Sequence, residues 1–219
     1  MRSLVIGATG GIGAALVARL ALRGDVVGLS RSGDGLDVTD EASVARVLGG
    51  LSGEFDRIFV TTGALEIDGA RPEKTLRALE PAAMLAQFAL NAMGPALVVK
   101  HAVRLMPKGR EAKLAVLSAR VGSIGDNGLG GWYSYRAAKA ALNQLVHTAA
   151  IEVARSHPLA VLACLHPGTV ASGFAPAYVG NHPTVTPDVA AGHLLAVLEG
   201  LTSAQTGGFY DWAGKPVPW

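Results

Sequence analysis

The N-terminal segment VIGATGGIGAALVARL constrains the fold more than any other, because an apolar run leads straight into glycines and then into an amphipathic stretch. That pattern predicts a β-strand, a tight glycine turn and an α-helix. The alternation continues through DVVGLS, DRIFVTT and KLAVLS, with helical segments from Thr75 to Leu105 and from about Tyr135 to Arg155. Strands joined through helices lie parallel, and their sheet is buried on both faces. We therefore predict an α/β fold with a doubly wound parallel sheet and helices on both faces.

Length and composition favour a single domain. The chain has 219 residues, of which 50% are hydrophobic, enough for one sizeable core. No composition shift or internal repeat divides it, so we take residues 1–219 as one domain. The formal net charge is +2, and the nineteen Lys and Arg residues form no run that would follow a phosphate backbone. Nucleic acid is therefore not an expected partner.

The sequence also indicates a cytoplasmic protein without a metal. Cys164 lies inside the apolar run LAVLACL, where a buried thiol in a reducing compartment is the ordinary interpretation. The N-terminus lacks the long apolar core of a secretory signal. Arg19, Arg23 and Lys100 interrupt the longest apolar windows, so we expect no membrane span. The six histidines show no metal-ligand spacing.

The glycines Gly7, Gly11 and Gly13 indicate a dinucleotide site, because they lie between the first strand and the first helix. Glycine there lets the backbone approach a pyrophosphate, and the helix N-terminus offers unpaired amides to the anion. A flexible turn is the alternative. The second strand ends in GLSRSG, and Ser30 followed by Arg31 favours the 2′-phosphate of NADP over the ribose of NAD. The alternative is a solvated arginine in a polar turn.

The segment GGWYSYRAAKAALN holds a second candidate site. Tyr135 and Lys139 are four residues apart and share a helix face, whereas Tyr133 lies about 240° around the axis from Lys139. A neighbouring ammonium stabilises phenolate and is expected to lower the tyrosine pKa. Tyr135 can then exchange a proton with a carbonyl or an alcohol. The same spacing also occurs on plain helix surfaces, so it gains weight only beside the nucleotide site.

Taken together, these motifs resemble the short-chain dehydrogenase/reductase family. The resemblance rests on GATGGIG, on Tyr135 and Lys139, on LDVTD at 36–40 and on HPGTVAS at 166–172, and it covers nearly the whole chain. Within the family, SARVGSIGDNGLGGWYSYRAAKAALN and the ending YDWAGKPVPW resemble the small branch that contains C-factor signalling proteins and sniffer-like carbonyl reductases. The resemblance implies a Rossmann-type fold and an NAD(P)-dependent oxidoreductase.

The resemblance also implies residue roles. Tyr135 would donate and accept the proton, Lys139 would lower its pKa and hold the nicotinamide ribose, and Asn91 would steady a water-linked proton relay. Asn91 could instead only cap or kink its helix. The remaining residues implied to bind the cofactor are Gly7, Thr9, Gly10, Gly11, Ile12, Gly13, Ser30, Arg31, Asp37, Val38, Thr62, Gly63, Pro167, Gly168, Val170 and Ser172.

Two positions depart from the family pattern. Ile6 stands where a threonine is usual, and Ala119 stands where the carbonyl-polarising serine is expected. Ser118 is the candidate replacement if the backbone twists at the strand end, and Ser123 is the alternative because it could reach inward from the loop. Loss of a donor to a developing oxyanion commonly lowers a rate about a hundredfold or more, so we expect slow turnover.

The sequence leaves three functional hypotheses. The first is an NADPH-dependent enzyme that moves hydride between the nicotinamide and a small carbonyl or secondary alcohol. The second is a C-factor-like signalling or regulatory protein that binds NAD(P) with little turnover, and the third is a silent partner in a hetero-oligomer. We expect the 168–186 loop to set substrate specificity. Trp132, Tyr133, Phe174 and Tyr178 flank the cleft and would either line a substrate pocket or serve only as packing residues.

The two most apolar helical segments suggest self-association. Residues 86–105 and 135–155 are rich in Ala, Leu and Val beyond what one buried stripe requires. We expect a homodimer or homotetramer that buries part of these surfaces, although a face buried within one chain would leave the same pattern.

Overall fold

A computed structural model of the chain describes residues 1–173 and 183–219, and its core is one six-stranded sheet. All neighbouring strands are parallel, in the order β2-β1-β3-β4-β5-β6. The strands are β1 Arg2–Ile6, β2 Asp25–Leu29, β3 Arg57–Val60, β4 Ala112–Leu117, β5 Ala160–His166 and β6 Phe209–Asp211. The predicted parallel sheet is confirmed.

Helices cover both faces of the sheet, as predicted. The α-helices are α1 Gly11–Ala21, α2 Arg31–Asp34, α3 Glu41–Gly49, α4 Pro81–Phe88, α5 Gly94–Ala102, α6 Tyr133–Val153 and α7 Pro187–Gly200. α1 and α7 pack together on one face, and α3, α5 and α6 contribute to the core on the other. The fold is therefore doubly wound.

Successive strand residues divide between the two cores. In β4, Leu114 and Val116 belong to the core beneath α5 and α6, whereas Ala115 and Leu117 belong to the core beneath α1 and α7. Every residue of β3 and β4 is buried. Burial on both faces explains why neither strand alternates apolar and polar residues, and it extends to their two charged residues, Arg57 and Lys113.

The long helical segment begins later than predicted. Instead of starting at Thr75, the chain forms a 3-10 turn at Leu76–Ala78 and starts α4 at Pro81, whose ring suits the first position of a helix. A π-helical turn, Ala89–Met93, joins α4 to α5. Pro81–Leu105 thereby forms 25 continuous helical residues.

By length and composition alone, Pro81–Leu105 could cross a membrane. The expectation that Lys100 interrupts every window of that kind is therefore wrong. Val98, Val99 and Ala102 of this segment pack in the core beside the sheet. A core helix of a layered α/β domain meets the same criteria of length and apolarity.

The strand order places a crevice at the carboxyl ends of β1 and β3. From β1 the chain first goes to β2 on one side and then crosses to β3 on the other. Helices on opposite faces leave a gap at such a reversal, which is where open α/β sheets bind ligands. The glycine turn after β1 and the segment Thr61–Gly63 after β3 both lie there.

Candidate active site

A cleft of about 950 Å³ opens at the carboxyl ends of the strands. Its walls contain many of the residues expected from the sequence, although those residues are distant along the chain. The expected residues that line the cleft are Gly10, Gly11, Ile12, Gly13, Thr62, Gly63, Ser118, Tyr135, Lys139, Pro167, Gly168, Val170 and Ser172. The fold thus brings the glycine turn and the Tyr135–Lys139 pair to one cavity.

The glycine turn fits a phosphate ligand. Gly7 has φ +91°, a left-handed conformation that favours glycine, and a Cβ on Gly13 would lie 2.1 Å from the Gly7 carbonyl oxygen. α1 begins at Gly11, and its N-cap Gly10 provides no side-chain hydrogen bond. The amides of the first turn are therefore free of a side-chain cap and face the cleft end that an anion would occupy.

Ile6 does not disturb this turn. Its side chain is buried in the core, and the hydroxyl of Thr61 donates to the carbonyl oxygens of Ile6 at 2.9 Å and of Gly7 at 3.2 Å. A threonine after β3 thus holds the turn from the neighbouring strand. The departure from the family pattern at Ile6 is structurally accommodated.

Tyr135 and Lys139 form a buried pair on α6. Tyr135 is 5% exposed whereas Tyr133 is 36% exposed, and the Lys139 Nζ lies 5.9 Å from the centroid of the Tyr135 ring. Lys139 Nζ also donates to the Leu117 carbonyl at 3.0 Å, which ties it to the end of β4. Tyr135 is therefore the partner of the lysine, as the helical spacing predicts.

Burial controls the protonation of both groups. It raises the pKa of Tyr135 above its ordinary value of 10.0 and lowers the pKa of Lys139 to about 8. The expected lowering of the Tyr135 pKa is wrong for this structure, because desolvation of the phenolate raises it. Tyr135 is consequently a neutral hydroxyl at physiological pH.

Asn91 holds the backbone that follows β3. It lies in the π-helical turn and is fully buried. Its Nδ2 donates to the Ala64 carbonyl at 2.8 Å, and its Oδ1 accepts from the Ala64 amide at 3.1 Å. Gln87 Oε1 also accepts from Asn91 Nδ2 at 2.6 Å. Because a Cβ on Gly63 would lie 2.7 Å from Asn91 Oδ1, only glycine fits between this clamp and the cleft.

Ser118 does not present a free hydroxyl proton to the cleft, and Ser123 is not among the described residues that line it. Ser118 lines the cleft, but its Oγ donates to Asn143 Oδ1 at 2.6 Å. Ser123 is buried, and its Oγ accepts from the Asp126 amide at 3.0 Å. Ala119 lies in the cleft wall where the expected hydroxyl is absent. Ser118 as the polarising residue stays a prediction that this hydrogen bond disfavours.

The residues expected at the adenosine end lie away from the main cleft. Ser30 caps α2 by accepting from the Gly33 amide at 2.9 Å, and Arg31 is exposed in the first turn of that helix. Asp37 accepts from the amide and the hydroxyl of Thr39, which lowers its pKa. The remaining expected residues outside the cleft lining are Gly7, Thr9, Val38 and Asn91.

The opposite wall of the cleft follows β5. Gly168 adopts φ +79° and approaches the Trp212 ring so closely that a Cβ would lie 3.1 Å from its Cδ1. Val170 pairs with Val185 across the 168–186 loop. Trp132 also lines the cleft, whereas Phe174 and Tyr178 lie outside the described residues.

Charged groups line the cleft beside Tyr135. Arg120 lies 3.5 Å from Asp126 and 3.5 Å from Asp211, whereas Arg136 bonds to backbone carbonyls. Burial lowers the pKa of His166 to about 4, with a smaller contribution from Arg120 in the same direction, so this histidine is neutral. Together with Lys139, these groups give the substrate end of the cleft a net positive charge.

Glu73 supports the site without any local sequence signal. It is buried, and its carboxylate accepts from the Ser134 amide at 3.2 Å and from the Ser134 hydroxyl. Its carbonyl accepts from the Trp132 amide at 2.5 Å. Glu73 therefore accepts hydrogen bonds from backbone amides at the N-terminus of α6 and fixes the helical turn that carries Tyr135.

Comparisons with known proteins agree with this site. Residues 34–183 match the family model described as enoyl-(acyl carrier protein) reductase. A dehydrogenase of Rhodococcus sp., named for 1-hydroxy-2-glutathionyl-2-methyl-3-butene, is 31% identical over 99% of this chain and 98% of its own length. The chain belongs to the short-chain dehydrogenase/reductase family and is an oxidoreductase.

Two further similarities bear on the competing hypotheses. The C-signal protein of Myxococcus xanthus is 34% identical over 62% of this chain and 78% of its own length. A short-chain dehydrogenase/reductase of Burkholderia multivorans, crystallised with NADP, superposes with a TM-score of 0.83 at 27% identity, covering 100% of this chain and 99% of the other.

Proposed function

We propose that this oxidoreductase transfers hydride between NADPH and a small carbonyl compound or its secondary alcohol, with Tyr135 exchanging the proton. The observation that carries the proposal is the buried Tyr135–Lys139 pair in the cleft that also receives the glycine turn. The Rhodococcus relative, named as the dehydrogenase of a hydroxy compound, supports the same reaction class.

The chain offers a fitting set of groups for NADPH. The glycine turn and the first amides of α1 would bind the pyrophosphate, and Arg31 after β2 would bind the 2′-phosphate. Lys139 would hold the nicotinamide ribose. When bound, the cofactor supplies the hydride. The Burkholderia structure with NADP supports this choice of cofactor over NAD.

Tyr135 acts as the general acid for reduction. Burial keeps its hydroxyl protonated, so it can donate to the oxygen of a carbonyl that accepts hydride. The ammonium of Lys139, fixed by the Leu117 carbonyl, stabilises the phenolate that remains. Asn91 keeps the Gly63–Ala64 backbone in place beside that ammonium.

Ser118 supplies the hydrogen bond that Ala119 lacks, with Asn143 as its positioning residue. Among the residues that the structure describes, Asn143 Nδ2 is buried without a hydrogen-bond partner. If the side-chain amide of Asn143 rotated so that its oxygen and nitrogen exchanged places, Nδ2 would donate to Ser118 Oγ. The Ser118 hydroxyl proton would then be free to donate to a carbonyl in the cleft. The two ends of an amide have nearly the same shape, so the exchange needs little space.

The reaction is tested by following NADPH oxidation with a panel of aldehydes, ketones and diketones. We expect turnover by the wild type, with Tyr135→Phe lowering kcat at least about a hundredfold while cofactor affinity stays unchanged. Tyr133→Phe is the matched control and should keep wild-type kcat. Undiminished turnover by Tyr135→Phe would contradict the proposed role, and equal use of NADH would contradict the cofactor choice.

The serine assignment has its own test. Ser118→Ala should lower kcat about a hundredfold, and Ser123→Ala should leave it unchanged. Asn143→Asp should reproduce the effect of Ser118→Ala, because a carboxylate only accepts and would take the serine proton. Circular dichroism checks that each variant folds. Wild-type kcat in Ser118→Ala would contradict the assignment.

A C-factor-like signalling role is the second candidate, favoured by Ala119 and by the similarity to C-signal. It predicts tight NADPH binding without turnover of any compound in the panel. A silent subunit would instead become active only when a second chain is added. Measured turnover by the purified protein would exclude both alternatives.

We also propose a homodimer or homotetramer built on the outer faces of α4 with its following π-helical turn and of α6. Leu85 on α4, Met93 at the end of the π-helical turn, and Leu145 and Ile151 on α6 are exposed. Apolar side chains grouped on two neighbouring helices favour burial against a second copy. Sedimentation velocity of the wild type and of Leu85→Glu tests the state, since a monomeric wild type would contradict it. The cytoplasmic location stays a prediction.

A further inference from the structure

Arg136 carries a charge that the proposed reaction leaves unused. It follows Tyr135 on α6 and lines the same cleft. Its guanidinium donates to three backbone carbonyls: Nε to Gly131 at 2.9 Å, Nη1 to Val121 at 3.2 Å and Nη2 to Gly130 at 3.1 Å. A guanidinium has five N–H donors, so two of them remain after these three bonds.

Arg136 has no carboxylate within 4 Å in the part of the chain that the structure describes. Arg120, the other arginine in the cleft, differs in this respect because Asp126 and Asp211 both lie 3.5 Å from it. Burial lowers the pKa of Arg136. A partly desolvated charge is normally matched by an opposite charge, and here none is provided by the described chain.

The missing negative charge does not belong to the cofactor phosphates. Those groups are expected at the N-terminus of α1 and at Arg31, whereas Arg136 is the immediate neighbour of the proton donor. The three carbonyl bonds also hold the guanidinium in one orientation, which suits bidentate binding of a planar carboxylate. Because Arg136 and Tyr135 line the same cleft, a substrate that carries both a carboxylate and a carbonyl could use both side chains.

We propose that the substrate is an oxo acid, or the matching hydroxy acid, whose carboxylate binds Arg136. This inference rests on the proposed hydride transfer and names its substrate class. Arg136 is the specificity residue for the carboxylate, and Tyr135 reacts with the carbonyl. Since the bonds to Gly130 and Gly131 anchor the loop that follows β4, the same side chain shapes that wall of the cleft.

The test compares each acid with its uncharged primary amide. Phenylglyoxylate, levulinate and para-formylbenzoate are assayed beside their amides with NADPH, using the wild type, Arg136→Gln and Arg120→Gln. We expect wild-type kcat/KM to favour at least one acid over its amide by about tenfold to a hundredfold, mainly through KM. Arg136→Gln should remove that preference, lowering kcat/KM for the acid about tenfold to a hundredfold more than it lowers kcat/KM for the amide. Arg120→Gln, the matched control, should keep the preference.

Two further measurements distinguish failure of the carboxylate inference from failure of the proposed hydride transfer. Arg136→Lys retains the charge and should restore part of the preference, which a purely structural role would not predict. Quenching of tryptophan fluorescence, with Trp132 in the cleft wall, measures binding of the acid and the amide without turnover. Equal affinity or equal kcat/KM for every acid and its amide would overturn the inference. Selective acid binding without turnover would support the carboxylate site and count against the proposed reaction.

Discussion

Replacing Lys139 by Met should stabilise the protein at neutral pH while abolishing catalysis. Lys139 is buried, and its pKa falls from 10.5 to about 8 on burial. That shift corresponds to about 3 kcal/mol of destabilisation when the side chain is protonated in both states. Methionine removes this penalty but leaves the Leu117 carbonyl without its donor, which costs about 1 kcal/mol. The expected net gain at about pH 7 is about 2 kcal/mol.

The difference in unfolding free energy between Lys139→Met and the wild type changes sign with pH. Between the folded pKa of about 8 and the ordinary value of 10.5, the unfolded chain binds more protons than the folded chain. Wild-type stability therefore rises through this window as the lysine penalty disappears. Above it only the lost hydrogen bond remains, and Lys139→Met should be about 1 kcal/mol less stable than the wild type.

Urea unfolding at several pH values from about 7 to 11 measures this difference. Lys74→Met, at an exposed position, is the matched control for the loss of a lysine at the surface. NADPH oxidation, measured in parallel, should be absent in Lys139→Met. A difference in unfolding free energy between wild type and Lys139→Met that stays constant across the pH range would refute the depressed pKa and the reasoning from burial.

Three further substitutions test other parts of the site. Gly13→Ala should lower the free energy of unfolding by about 2 kcal/mol and weaken NADPH binding at least tenfold, because its Cβ would meet the Gly7 carbonyl. Gly49→Ala, with open space around the added Cβ, should change neither quantity. Glu73→Ala should cost about 1 to 2 kcal/mol by calorimetry and lower kcat more than NADPH affinity, since it frees the N-terminus of α6. Glu199→Gln should cost about 1 to 2 kcal/mol in urea unfolding, because it removes the nearer of the two carboxylates that pair with the buried Arg57 and leaves Glu111 at 3.3 Å. An unchanged free energy of unfolding would contradict the importance of that pair.

The sequence predicts those features that depend on local pattern. Apolar runs separated by amphipathic segments are sufficient to predict the parallel sheet. The four-residue spacing to Lys139 is sufficient to choose Tyr135 over Tyr133 as the partner of that lysine. Both follow from the periods of strand and helix, which neighbouring residues determine. The start of α4 differs most, because Pro81 fixes the first turn more strongly than the apolar pattern does, and α6 begins and ends two residues earlier than predicted.

The features that sequence did not predict depend on contacts between distant segments. Glu73 caps a helix 61 residues later, and Asn143 binds a serine 25 residues earlier, so no local spacing marks either pair. The direction of the Tyr135 pKa depends on how completely surrounding elements exclude water. A Tyr and a Lys four apart do not specify that burial, and the expected lowering was therefore wrong.

The most direct test of the central claim follows the hydride itself. NADPH carrying deuterium at the transferable position of the nicotinamide is incubated with the purified protein and an accepted carbonyl compound, and the alcohol is examined by mass spectrometry and NMR. We predict one deuterium on the former carbonyl carbon, and in a fixed short reaction time the wild-type yield of deuterated alcohol from Tyr133→Phe but at least about a hundredfold less from Tyr135→Phe. Product without deuterium, or equal incorporation by Tyr135→Phe, would contradict hydride transfer assisted by Tyr135.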